Sequence, residues 1–153
     1  MSNPVAALPQ ALLVAMDFSH SAVRALDLVL KWYPEADVTA LHVIDTDFAA
    51  KAATAGLGTR EDIIAKLRTR AGEDFAWLTQ EKGAERFDSM VVEGIPFVEV
   101  IKIAKDLEAD LLVMGSPGAG ANVSTGARID ELLFGGTTEK VLRACPCPVL
   151  CVP

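Results

Sequence analysis

The sequence predicts an α/β fold: five strands alternating with helices in one unit, with a mostly parallel open sheet and helices on both faces. Three observations carry that expectation. Short continuous apolar runs, such as Leu12 to Met16 and Leu111 to Met114, read as strands buried on both faces. Between the runs lie stretches whose apolar residues recur at helical spacing. The two kinds of segment alternate along the chain, and parallel strands joined through helices need right-handed crossovers. The 153 residues fit a single domain spanning 1–153, with residues 1–10 as an N-terminal tip.

Taken in order, the first strand covers Ala11 to Met16. Asp17-Phe18-Ser19 stops it, and Ser19 suits the N-cap of a helix running to about Trp32. Ala22, Ala25, Leu26, Val29 and Leu30 form that helix's apolar face, and Pro34 ends it. The second strand is Val38 to Ile44. Residues 45–58 are rich in alanine, threonine and glycine without a clear period, and read as a flexible loop.

Thr59 and Asp62 resemble a capping box at the head of a long helix reaching about Lys82. Its face is Ile63, Ile64, Leu67, Ala71, Phe75 and Leu78, with Gly72 as its weak point. Arg86 to Val92 is the third strand, and Gly94-Ile95-Pro96 turns into a helix from about Phe97 to Leu107. Leu111 to Met114 is the fourth strand. A helix over Leu132 to Ala144, broken or started at Gly135-Gly136, leads to the last strand, Pro148 to Val152.

Composition narrows the class. Hydrophobic residues make up 51% and charged residues 23%, the balance of a globular chain. A net charge of −7 disfavours nucleic acid and anionic membrane as partners. No apolar run approaches the length of a membrane span, and the first ten residues lack the order of a signal peptide, so a cytoplasmic location is expected. Cys145, Cys147 and Cys151 are read as structural, each packed as a small apolar residue: the spacing is CxC, and His20 and His42 are remote.

Chemistry concentrates where strands end. Gly115-Ser116-Pro117-Gly118 follows the fourth strand, and Gly135-Gly136-Thr137-Thr138 lies further on. Such clusters let backbone N–H groups approach a phosphate, with a helix N-terminus adding partial positive charge; they also serve as plain tight turns. In open parallel sheets ligands bind at the carboxyl ends of strands, where strand order reverses. The loops at Asp17, Asp45 and Gly115 all emerge there. Asp17 suits a ribose hydroxyl or an adenine amino group, and equally suits capping of the next helix. Asp45 and Asp47 are the candidate Mg²⁺ ligands. No GxxxxGK[ST], GxGxxG or GxSxG motif occurs where it would signal a P-loop, a dinucleotide site or a nucleophile elbow.

Several segments together resemble the universal stress protein (UspA-like) family. They are Leu13 to Ser19 with Ala25-Leu26, Thr39 to Asp45, Val92-Glu93-Gly94-Ile95-Pro96, Ala109 to Ser116, Gly135 to Val141 and Cys147-Pro148-Val149-Leu150. They occur in the family's order over nearly the whole chain. The resemblance implies an adenine-nucleotide α-hydrolase-like sheet with strand order 3-2-1-4-5. It also implies a homodimer formed through the C-terminal edge strand, and a stress-response regulator.

The family's ATP-binding branch carries the signature G-2X-G-9X-G-(S/T). Transferred to this chain, Ala15, Asp17 and Val43 line the adenine and ribose side. Met114, Gly115 and Gly118 begin the phosphate side, and Gly135, Gly136, Thr137 and Thr138 complete it. The implied ligand is ATP or another adenine nucleotide, with or without Mg²⁺. The chain departs from the signature twice. Sixteen residues, 119–134, stand where the signature has nine, an insertion of seven at roughly Ala119 to Thr125, within a segment 119–127 that reads as a flexible loop. Gly136 replaces the Ser/Thr, and one lost neutral hydrogen bond costs about 1 kcal/mol, which weakens the site without abolishing it. Arg128 and Lys140 are the cations near these glycines, and no general base accompanies them, so hydrolysis is expected to be slow at most. The alternative is a dimeric interaction module of the same family that binds no nucleotide.

Overall fold

The computed structural model describes residues 8–116 and 129–153. Its elements, in chain order, are β1 (Ala11–Ala15), α1 (His20–Trp32), β2 (Asp37–Asp45), α2 (Thr46–Thr54), α3 (Arg60–Lys82), β3 (Asp88–Gly94), α4 (Pro96–Asp106), β4 (Leu111–Gly115), α5 (Ile129–Ala144) and β5 (Val149–Val152). The five strands form one sheet in the order β3-β2-β1-β4-β5, and every neighbouring pair is parallel. This is the order that the family resemblance implies.

Alternation along β1 explains why its apolar run is unbroken. Leu12 and Val14 join a core with Leu26, Val29, Phe75 and Leu78 of α1 and α3. Leu13 points the other way, to Val100, Ala104 and Val141 of α4 and α5. Both faces are therefore dry at the sheet centre. Leu13, Leu26, Leu41, Leu78 and Leu112 are fully buried, each worth about 1.5–3 kcal/mol relative to exposure. Asp110 fixes the base of the sheet, where its Oδ2 accepts the N–H groups of Gln10 (2.9 Å) and Ala11 (3.0 Å).

Residues 45–58 are not simply a loop, and this corrects the expectation. Asp45 Oδ1 accepts the N–H groups of Asp47 and Phe48, both at 3.0 Å, and so caps α2. The alanines at 49, 50, 52 and 53 are strong helix formers that carry no large apolar stripe, so the helix has little visible period. Ala49 and Ala52 nevertheless pack with Ile44, Ile63 and Ile64 in a third cluster. Gly56 (φ 85°) ends the element.

A second correction concerns α5. It starts at Ile129 and runs through Gly135-Gly136, so the glycine pair neither breaks nor starts a helix. Two internal glycines cost about 2 kcal/mol together, against which α5 packs on the core through the fully buried Val141. Residues 119–127, expected as a flexible loop around the insertion at 119–125, lie outside the described residues, as do residues 1–7 of the N-terminal tip.

Candidate functional site

Strand order reverses at β1, which has β2 on one side and β4 on the other. At its carboxyl end Ala15 stands in register between Leu41 and Met114. Beside this point, at the carboxyl ends of β1, β2 and β4, lies a cleft of about 240 Å³. That is slightly under the ~300–1,000 Å³ usual for small-molecule sites.

Ala15, Asp17, Val43, Met114, Gly115, Thr137 and Thr138 all line the cleft, so the residues expected from four separate segments meet at one place. Gly118 lies outside the described residues, and Gly135 and Gly136 are within α5. The cleft is also lined by Met16, Ala22, Leu41, His42, Pro96 and Val100, which sequence reasoning did not select. Three of these were legible: Leu41 and His42 directly precede Val43, and Pro96 sits in a turn at the same sheet edge.

The loop after β1 is held from both ends. Met16 N–H donates to Leu41 O at 2.7 Å, while Met16 O receives the Nδ1–H of His42 at 2.7 Å. A carbonyl can only accept, so Nδ1 carries the proton. Phe18 then takes a left-handed conformation (φ 64°), which is unfavourable for a residue with a bulky side chain. Its ring is fixed edge-on to Phe75 (4.9 Å between centroids) and tilted against His42 (5.1 Å). The chain therefore reverses at a defined angle and leaves Asp17 exposed at the cleft rim.

Both readings of Asp17 have structural content. Its Oδ1 accepts Ser19 N–H at 2.9 Å, and Ser19 Oγ in turn caps α1 through Ala22 N–H at 3.3 Å. That bond uses one carboxylate oxygen of a residue that also lines the cleft. Gly115 also has a packing role. A Cβ built on it would stand 2.5 Å from Ala22 N and 2.6 Å from the carbonyl carbon of Ser21, so the end of β4 meets the first turn of α1 only because residue 115 has no side chain.

Electrostatics at the phosphate side are sparse. Neither lysine nor arginine lines the cleft among the described residues. Lys140 lies over the ring of Phe97, 4.8 Å from its centroid, and Arg128 is outside the described residues. The N-terminus of α5 is at Ile129, so within the helix the N–H groups of Gly135 and Gly136 fall past the first turn, whose donors alone are free. Thr138 is buried at the cleft wall. Asp45 serves as the cap of α2, and no cluster of three His, Cys, Asp or Glu side chains suited to a metal exists among the described residues. No helix among them is long and apolar enough to cross a membrane.

Residues 10–153 match the model of the universal stress protein family. Universal stress protein MJ0577 of Methanocaldococcus jannaschii is 31% identical over 157 aligned positions, covering 92% of this chain and 93% of the relative. The solved structure of MJ0577 superposes with a TM-score of 0.73 at 30% identity, covering 94% of each chain. Two more distant structures share the fold. One is a universal stress protein from Archaeoglobus fulgidus in complex with dAMP (TM-score 0.59, 20% identity, 94% of this chain and 98% of that one). The other is a universal stress protein in complex with cAMP (TM-score 0.57, 22% identity, 96% and 98%).

Proposed function

The chain belongs to the universal stress protein family, and from that premise we propose that it is a cytoplasmic, homodimeric stress-response regulator that binds an adenine nucleotide, ATP first among them, in the cleft at the end of β1. The observation that carries this reading is the convergence of Ala15, Asp17, Val43, Met114, Thr137 and Thr138 on one cleft. Ala15, Val43, Met114, Leu41 and Val100 supply apolar walls for a flat base. The free oxygen of Asp17 accepts hydrogen bonds from ribose hydroxyls or the adenine amino group, and Thr137 and Thr138 offer hydroxyls on the phosphate side. Support comes also from the two structural neighbours bound to dAMP and cAMP, each an adenine nucleotide.

Base and sugar carry most of the affinity in this reading. With no described cation on the wall, the phosphates add little unless Mg²⁺ accompanies them, and that ion would arrive with the nucleotide. Occupancy then acts through shape: it fixes α5 against the loop after β1, and the dimer formed along the edge strand β5 transmits the change. No catalytic residue is assigned, and hydrolysis is at most slow.

A specific observation favours a second reading, an interaction module without nucleotide. The unbroken path of α5 through Gly135-Gly136 and the seat of Lys140 on Phe97 both withhold groups that a phosphate would use. Val43→Trp separates the two. Filling the cleft should weaken adenine-nucleotide binding at least tenfold, about 1.4 kcal/mol, in calorimetry on a protein whose circular dichroism is unchanged. Equal affinity in the variant would remove the nucleotide from this cleft.

A further inference from the structure

Cys145 and Cys147 lie apart from the cleft, at the junction of α5 and β5. Cys145 closes the helix, its N–H bonded to Val141 O at 2.8 Å. Pro146 follows with φ fixed by its ring, and Cys147 comes next, so the chain bends back within two residues. The two Sγ atoms stand 3.6 Å apart. Both side chains are half-buried and pack against the α4/α5 core. Cys151 is placed differently, inside β5 in register with Met114.

We propose that Cys145 and Cys147 form a thiol–disulfide site, in which the pair closes to an intramolecular disulfide by exchange with a small-molecule disulfide. The distance is favourable: a bond length near 2.05 Å requires each sulfur to move about 0.8 Å, within side-chain rotation. A metal chelate is a poorer match, because the described residues bring no third His, Cys, Asp or Glu ligand to the pair.

The exchange balances in two steps. Cys145 gives up its proton and its sulfur attacks one sulfur of the small disulfide. That S–S bond breaks, a mixed disulfide forms, and one small thiol leaves carrying the proton. Cys147 then loses its proton and attacks Cys145 Sγ, which releases the second small thiol. The protein pair is oxidised by two electrons and the small disulfide is reduced by two.

The two protons leave one at a time. Burial, then the hydrogen bond and the charge of Cys145, push the Cys147 thiol up to about 12, so the two thiols do not ionise together. Once Cys145 is in the mixed disulfide, its charge and its acceptor are gone, and burial is the main restraint left. A ring closed across a single intervening proline is small, which places the pair with labile disulfides and not with structural ones.

The test uses the whole chain with Cys151→Ser, which leaves only the pair. After incubation with excess oxidised glutathione, remaining thiols are alkylated and the protein is cut with trypsin. Cleavage after Arg143 yields one peptide, Ala144 to Pro153, that holds both cysteines. The expected peptide lacks two hydrogens, carries no alkyl group and returns to the dithiol with reductant. Adding Cys147→Ser should instead trap a stable glutathione adduct on Cys145. A peptide alkylated at both sulfurs, or a lasting adduct while Cys147 is present, would overturn the proposal. The wild-type chain, treated in parallel, guards against a variant that folds poorly: a peptide Ala144 to Pro153 that lacks two hydrogens between Cys145 and Cys147 and is alkylated only at Cys151 supports the proposal, and one alkylated at all three sulfurs refutes it.

Discussion

Gly115 and Ala22 approach so closely that a Cβ on the glycine would stand 2.5 Å from the amide nitrogen of Ala22. The end of β4 and the start of α1 are thereby locked together on one side of the cleft. The glycine that sequence reasoning assigned to a phosphate is needed first by the protein itself.

Gly115→Ala should therefore destabilise the fold by about 2–3 kcal/mol, the range for forcing atoms into a packed site. Urea denaturation measures it. A loss under about 0.5 kcal/mol, typical of neutral surface changes, would mean that the contact relaxes freely.

Asp17 separates capping from binding. Asp17→Asn keeps an oxygen for Ser19 N–H, so stability should change by less than about 1 kcal/mol. It also replaces one carboxylate oxygen with a donor, and adenosine affinity should fall roughly five- to tenfold, the effect of one or more lost hydrogen bonds. Calorimetry and thermal unfolding on the same samples distinguish the two; a large drop in stability with intact binding would reverse the assignment.

Asp110 contributes a pH dependence of known sign. The N–H of Ala11 and then that of Gln10 hold its carboxyl below the ordinary value of 3.8, against a smaller opposing effect of burial. A depressed folded pKa stabilises above the unfolded value and loses that contribution as pH falls through the folded one. The stability gap between wild type and Asp110→Asn should be constant from pH 7 to about 5, then narrow below pH 3.8. A gap that widens in acid would contradict the hydrogen bonds at Gln10 and Ala11.

The edge strand β5 is the proposed dimer seam. Leu150→Lys puts a charge in a strand whose outer edge has no partner among the described residues, and sedimentation should show the dimer replaced by monomer. Leu150 also packs on the α1 core, so circular dichroism must confirm that the monomer is folded. A folded variant that still sediments as a dimer would put the seam elsewhere.

Most of the fold was legible because parallel strands buried on both faces leave unbroken apolar runs, and Ser19 and Thr59 mark helix starts by simple cap chemistry. Less was legible where the deciding partner is distant in sequence. The third strand was expected from Arg86 but begins at Asp88, because Arg86 donates to Leu30 O at 3.1 Å and Phe87 is buried in the core. The role of His42 depends on a carbonyl 26 positions away, and the conformation of Phe18 depends on the ring of Phe75. Helix α2 escaped notice because alanine forms helices without marking a face. Ala15, Asp17 and Val43 mark the cleft in the sequence, whereas the path of α5 is hidden there because two glycines look like punctuation even where the helix continues.

The central claim is that the cleft holds an adenine nucleotide, and titration of the purified chain with ATP, AMP and adenosine by calorimetry tests it most directly. Saturable one-to-one binding of all three, lost together in Val43→Trp, is the expected result. No heat with any of them, from protein first unfolded and refolded to release bound nucleotide, would contradict the claim and leave the interaction module as the account of this chain.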